Sequence, residues 1–208
     1  MNYFISGGCK NGKSFHAQRI AKEMAEKTGK PLYYLATMEP HDAEDDARIA
    51  RHIAERDGWG FTTIERPTKI CEIFGKSGPG NGLGEKSSKT ETVAQIDTCG
   101  NGERSAAVPD PEGVFLLDSV TALLSNEMFR ADATVDLEAP TRVVAELTRF
   151  AEMTGSTVFV SDYIYSDARL YDELTESYRK GLALCDRALA KACDKVLEVA
   201  FTNVTEHK

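Results

Sequence analysis

The residues with the plainest chemical purpose are Gly7, Gly8, Cys9, Lys10, Asn11, Gly12, Lys13 and Ser14. They fit G-x-x-x-x-G-K-[ST], with the apolar run Tyr3-Phe4-Ile5 before them and a helical pattern after them. That is the strand–loop–helix setting of a phosphate-binding P-loop. The glycines let successive N–H groups turn into one concavity, and the helix N-terminus behind it favours an anion. In that setting Lys13 reaches the β/γ-phosphates and the Ser14 hydroxyl is a ligand for Mg²⁺. Cys9 sits at a tolerant position and reads as a small residue. Asp118 ends the apolar run Val114-Phe115-Leu116-Leu117. A carboxylate there can hold Mg²⁺ beside the phosphates, directly or through water. Alternatively it caps the next helix, a role Ser119 could share.

A third group is Arg48, His52 and Arg56, spaced i, i+4, i+8 in Arg48-Ile49-Ala50-Arg51-His52-Ile53-Ala54-Glu55-Arg56. On a helix they form one row, which Glu44 can join. His52 is the odd member. Two flanking cations favour its neutral form, whose ring lone pair can attack phosphorus while the cations hold phosphate oxygens. The same spacing also suits an exposed helical histidine with no chemistry. His16, just past the loop, reads as a surface or packing residue.

These residues must be positioned by alternating strands and helices. Phe4-Ile5-Ser6, Leu32-Tyr33-Tyr34-Leu35-Ala36, Phe61-Thr62-Thr63-Ile64-Glu65, Val114 to Asp118, Thr157-Val158-Phe159-Val160-Ser161 and Val196 to Phe201 read as strands, with Asp162 marking the exit of the fifth. Helical spacing follows Lys13 to Thr28-Gly29, a stretch opened by Asp42 and closed by Gly58, and a stub around Ile70 to Phe74. It recurs at Val120 to Met128, from Pro140 to Gly155, and in a long helix through Leu170, Leu174, Tyr178, Leu182, Cys185 and Leu189. This alternation predicts an α/β fold, a mostly parallel sheet with helices on both faces. Gly75 to Gly113 holds eight of the sixteen glycines and three of the seven prolines, so it is expected to be a mobile or disordered insertion with at most a transient element near Val93 to Ile96. The 208 residues suffice for one domain with a sizeable core.

A net charge of −8 and a pI near 5.1 argue against bulk nucleic-acid or anionic-membrane binding. No apolar run approaches the ~18–20 residues of a membrane span. No signal-peptide layout precedes the first strand. Five cysteines without C-x-x-C spacing fit a reduced cytoplasmic compartment with no structural zinc. Apolar helix faces around Leu123 and Leu182 are candidates for self-association.

Taken together, these motifs resemble the bifunctional adenosylcobinamide kinase / adenosylcobinamide-phosphate guanylyltransferase family over nearly the whole chain outside 75–113. The family's Gly-Gly-x-Arg-Ser-Gly-Lys-Ser loop is matched by Gly7 to Ser14, and its Leu-Tyr-Ile-Ala-Thr-Ser by Tyr33-Tyr34-Leu35-Ala36-Thr37-Met38. Its Ala-Arg-Ile-x-x-His is matched by Ala47-Arg48-Ile49-Ala50-Arg51-His52, and its Trp and Thr-x-Glu by Trp59 and Thr63-Ile64-Glu65. Its apolar strand ending in an acid is matched by Leu116-Leu117-Asp118.

The resemblance implies a P-loop NTPase of RecA-like, three-layer architecture. It implies two activities with Mg²⁺ as cofactor: phosphorylation of adenosylcobinamide from ATP or GTP, and transfer of GMP from GTP to adenosylcobinamide phosphate through a GMP adduct on His52. It also implies a role for Ala36, Thr37, Met38, Ile53, Ala54, Glu55, Arg56 and Glu65 in guanine-nucleotide binding, with Glu65 imagined as a buried carboxylate facing the base. Family members form homo-oligomers, commonly trimers. The chain departs from the family after the fifth strand. Asn-Glu-Val-Gly-x-Gly-Ile-Val-Pro is replaced by Asp162-Tyr163-Ile164-Tyr165-Ser166-Asp167-Ala168-Arg169. Phe-Arg-Asp and Gly-Arg-x-Asn-Gln become Tyr178-Arg179-Lys180 and a run containing Asp186-Arg187. The nucleotide end is therefore better matched than the acceptor end. A single-activity P-loop kinase and a non-catalytic GTP-binding regulator are the alternatives.

Overall fold

A computed structural model describes residues 1–40, 50, 54, 56–75, 95–97, 108–130, 132–165 and 167–208. The strands are β1 (Tyr3–Gly7), β2 (Leu32–Ala36), β3 (Thr62–Glu65), β4 (Gln95–Asp97), β5 (Val114–Asp118), β6 (Thr157–Asp162), β7 (Lys195–Ala200) and β8 (Asn203–Glu206). They form one sheet in the order β4-β3-β2-β5-β6-β1-β7-β8, parallel throughout except for the outermost pairs β3–β4 and β7–β8. The helices are α1 (Lys13–Thr28), α2 (Val120–Met128), α3 (Ala139–Thr154) and α4 (Glu173–Ala192), with a 3₁₀ turn at Ile70–Phe74. Ala50, Ala54 and Arg56 also have helical backbone.

Strand alternation sends side chains to two cores. Phe4, Leu35, Ile64, Phe115, Leu117 and Phe159 pack under α2, α3 and α4. Ile5, Tyr34, Leu116, Val158, Val160 and Val199 pack under Ala17, Ala21 and Ala25 of α1. Small alanines let α1 lie close on the sheet. Gly29 and Gly155 end α1 and α3 in the left-handed conformation, as their sequence positions predict.

The chain corrects four expectations. Leu123 and Leu182 are fully buried in the first core, so those faces are packing surfaces and are not free for self-association. The last long helix begins at Glu173, because Asp172 caps it by accepting from the Leu174 and Thr175 N–H groups; Leu170 lies before it and is 93% exposed. A strand absent from the sequence reading, β8, returns antiparallel to β7. Within 75–113, Gln95–Asp97 pairs with β3 as a sheet edge. The expected cap Asp42 and Glu44, the acid expected to join the Arg48 row, lie outside the described residues, as does the rest of the insertion apart from Gly75, β4 and 108–113. Among the described residues, no helix is long and apolar enough to cross a membrane.

Candidate nucleotide site at the carboxyl edge of the sheet

Strand register lines the site residues along one edge. Gly7 pairs with Asp162 on one side and Val199 on the other. Asp118 and Glu65 both pair with Ala36. β1 feeds α1 on one face of the sheet, and its neighbour β6 feeds α4 on the other. Their carboxyl ends therefore flank the topological switch point, where open α/β sheets bind ligands.

The loop Gly8–Gly12 sits over that crevice. Lys10 (φ 55°) and Gly12 (φ 91°) are left-handed, and Gly12 is the N-cap of α1. Gly12 offers no side-chain cap, so the first N–H groups of α1 remain available to an anion. Asn11 Nδ2 donates to the Val199 carbonyl and ties the loop to β7. Gly7 is buried, and that carbonyl leaves no room there for a Cβ. Cys9 and Lys10 are exposed at the loop's crest, and Ser14 is half-buried at the start of α1. Lys13 is 7% exposed. Its Nζ donates to the Gly8 carbonyl at 2.8 Å and to Asp162 Oδ1 at 2.7 Å. The Asp162 N–H donates to Thr121 Oγ1 at 2.9 Å, and the Tyr163 N–H to the Gly7 carbonyl at 2.9 Å, so the β6 exit is anchored to the root of the loop.

Two strands away, Asp118 Oδ2 accepts from the Tyr34 hydroxyl at 2.9 Å. Ser119, not Asp118, caps α2, accepting from the Ala122 N–H at 3.2 Å. Thr37 is fully buried. Its hydroxyl donates to the Ser119 carbonyl and accepts from the Ser119 N–H, both at 2.8 Å, so it is committed to joining β2 to β5. Asn126 Nδ2 donates to the Thr37 carbonyl at 2.7 Å and to that of Pro67 at 3.1 Å, clamping the exits of β2 and β3. Ala36 and Met38 are half-buried beside it.

Arg56 is also buried, with its guanidinium carbon 3.6 Å from the Tyr34 ring centre. Burial and the Asp118 carboxylate push the Tyr34 hydroxyl well above its usual range, so it stays a donor. Arg56, Tyr34 and Asp118 form one connected stack. Replacing Tyr34 with Phe removes the donor and leaves a carboxylate oxygen short of a partner. The expected loss is about 1–2 kcal/mol in urea unfolding. A change below about 0.5 kcal/mol would mean that water serves Asp118 equally well.

Glu65 is exposed at the end of β3, which corrects the expectation of a buried carboxylate. Ala54 is exposed. Ile53, Glu55, His52, Arg48 and Arg51 lie outside the described residues. The sequence marks Asp162 only as a strand exit and Tyr34 only as part of a strand, and it does not single out Asn126. Their partners are on distant segments, and only the strand order brings them together.

The donor set suits Mg²⁺: a Ser14 hydroxyl and carboxylates at one sheet edge are hard oxygen ligands. Among the described residues no group of three or more His, Cys, Asp or Glu is placed to hold a metal by itself, so nucleotide phosphates would have to complete such a site.

A sequence profile described as "Cobinamide kinase / cobinamide phosphate guanyltransferase" matches residues 3–82 and 89–202. The bifunctional adenosylcobalamin biosynthesis protein CobP of Pseudomonas aeruginosa is 24% identical over 196 residues, covering 94% of this chain and 91% of that protein. Among solved structures, the ATPase domain of G40P is 11% identical and covers 95% of this chain and 68% of its own, with a TM-score of 0.45. The flagellar accessory protein FlaH of Methanocaldococcus jannaschii is 10% identical, covers 99% and 75%, and has a TM-score of 0.39.

Proposed function

We propose, since the chain belongs to the cobinamide kinase / cobinamide phosphate guanyltransferase family, that it phosphorylates adenosylcobinamide and then guanylylates the product in cobalamin biosynthesis. The family match across nearly the whole chain carries this reading, and the loop with its buried lysine supports it.

In the first reaction the acceptor hydroxyl oxygen bonds to the γ-phosphorus of ATP or GTP. The bond from that phosphorus to the β-bridging oxygen breaks, and the hydroxyl proton is released. The loop N–H groups and Lys13 hold the phosphate oxygens in line and offset their charge. In the second reaction a ring nitrogen of His52 bonds to the α-phosphorus of GTP and pyrophosphate leaves. A phosphate oxygen of adenosylcobinamide phosphate then displaces the histidine, giving adenosylcobinamide-GDP and free His52. Splitting the transfer in two is covalent catalysis. Mg²⁺, held by Ser14 and Asp118, would supply charge neutralisation on the triphosphate. Ala36, Met38, Glu65 and the segment 53–56 are proposed to border the guanine nucleotide. Arg56 would act there through its stack on Tyr34, steadying the segment that carries His52. We place the enzyme in the cytoplasm as a homo-oligomer.

The test is covalent labelling. Protein incubated with α-labelled GTP and Mg²⁺ is expected to carry an acid-labile label that maps to the peptide with His52 and is reduced at least 100-fold in His52→Ala. Absence of label, or label that survives the substitution, removes the guanylyl step. Turnover of adenosylcobinamide with ATP or GTP, measured separately, decides the kinase step.

A further inference from the structure

We propose that Asp162 is a stand-in for the nucleotide's phosphate: it holds Lys13 in the crevice before the nucleotide arrives and is displaced from the ammonium when a triphosphate binds. This rests on the nucleotide-binding part of the reading above. It does not require any corrinoid chemistry.

Lys13 is buried to 7% exposure, and a buried ammonium needs acceptors. The Gly8 carbonyl at 2.8 Å belongs to the loop itself. Asp162 Oδ1, at 2.7 Å, carries the only formal negative charge that the described residues bring within ion-pair distance of Lys13. A phosphate oxygen offers Lys13 the same kind of partner, an anionic oxygen. The carboxylate is held in place from its own backbone. Asp162 is the last residue of β6, its N–H donates to Thr121 Oγ1, and the next N–H donates to the Gly7 carbonyl. Its side chain is 24% exposed, so solvent can take over its hydrogen bonds once Lys13 turns to the nucleotide. The pair spans the switch-point crevice between β1 and β6.

This arrangement has two consequences of opposite sign. Without nucleotide, the ion pair fixes the lysine where it will be used. On binding, the triphosphate must compete with a carboxylate for that lysine, and its own charge faces the freed carboxylate. Asp162 therefore weakens nucleotide affinity while ordering the empty loop. Removing a residue that merely supported the fold, or one that helped to hold the metal, would leave nucleotide binding unchanged or weaken it.

The experiment is titration of the full chain with a fluorescent GTP analogue in Mg²⁺, comparing wild type, Asp162→Asn, Lys13→Met and the double variant. Asp162→Asn is expected to bind three- to tenfold more tightly, and Asp162→Ala, a second variant, should shift the same way. With Lys13→Met the further change to Asn should tighten binding by less than half the factor seen with Lys13 present, because repulsion by the carboxylate remains but no ammonium is left to be contested. The melting temperature of the empty Asn variant should fall slightly, while the rise given by saturating nucleotide should exceed that of wild type. Unchanged or weaker binding in both Asp162 variants overturns the proposal. So does equal tightening with and without Lys13, which would be repulsion alone. Failure of every protein, wild type included, to bind the analogue would instead fail the nucleotide reading, and corrinoid turnover need not be measured to tell the two apart.

Discussion

Gly7→Ala is expected to destabilise the protein by about 3 kcal/mol and to cut nucleotide affinity at least tenfold, whereas Gly8→Ala next to it should cost under about 1 kcal/mol. A Cβ on Gly7 would run into the Val199 carbonyl oxygen and stand 2.6 Å from Asn11 Nδ2 and 3.2 Å from the Val199 carbonyl carbon. Two of those three atoms are backbone of β7, which pairs with β1 along its length and cannot retreat without breaking the ladder. The third belongs to the side chain that ties the loop to β7 through that same carbonyl. The new methyl therefore either parts the two strands or ejects Asn11. Overpacking against a rigid neighbour costs about 1–3 kcal/mol, and a lost hydrogen bond adds about 1 kcal/mol. Among the described residues a Cβ on Gly8 meets only Asn11 Nδ2, at 3.9 Å, an ordinary contact. Urea unfolding and nucleotide titration of both variants check the contrast. If Gly7→Ala lost less than 1 kcal/mol and bound nucleotide normally, the close approach of loop and β7 would not shape the anion site.

The local parts of this architecture were legible because local rules govern them. Glycine at positive φ ends α1 and α3, an apolar run ending in Asp118 makes β5, and Ser119 caps α2. The loop was legible because its chemistry requires contiguous residues. What escaped depends on distant segments or lacks a turn signal. The β7–β8 hairpin turns through Phe201 (φ 50°) and Thr202 (φ 64°), where a reader expects Asn or Gly, so its strand went unseen. The Lys13–Asp162 pair joins residues 149 positions apart, and sequence spacing says nothing about it. Leu123 and Leu182 looked like spare apolar surface only because α2, α3 and α4 all pack on one face, and the sequence does not say which stripes face one another. Arg56 has the spacing of a solvated helical cation, yet it lies buried on an aromatic ring contributed by β2.

Asp186→Asn is expected to stabilise the protein at pH 7.5 by up to about 3 kcal/mol and to change little near pH 4. Asp186 is 3% exposed on α4. Its Oδ2 accepts from the Tyr165 hydroxyl at 2.9 Å, and Oδ1 has no partner among the described residues. The Ser161 hydroxyl from β6 is near enough to pull the carboxyl down, as the Tyr165 hydroxyl does, but misses hydrogen-bond geometry. Burial outweighs both and, with the Asp162 carboxylate adding to the rise, pushes Asp186 from 3.8 up to about 6. Its other titratable neighbours, the Cys185 thiol and the Tyr178 hydroxyl, are raised by their own burial and bring no compensating positive charge. Below about pH 4 folded and unfolded chains both hold the proton, and the carboxyl costs nothing. Between about 4 and 6 the unfolded chain releases its proton first, so wild-type stability falls as pH rises. Above about 6 the full cost of a buried carboxylate is present. Asparagine keeps the volume, can still accept from Tyr165, and offers an N–H₂ to the Ser161 oxygen. Urea unfolding of wild type and Asp186→Asn at pH 4.5, 6 and 7.5 should give curves that diverge with pH. Parallel curves, or a variant less stable at pH 7.5, would mean that this carboxylate is stabilised by water or by a cation that the buried site admits.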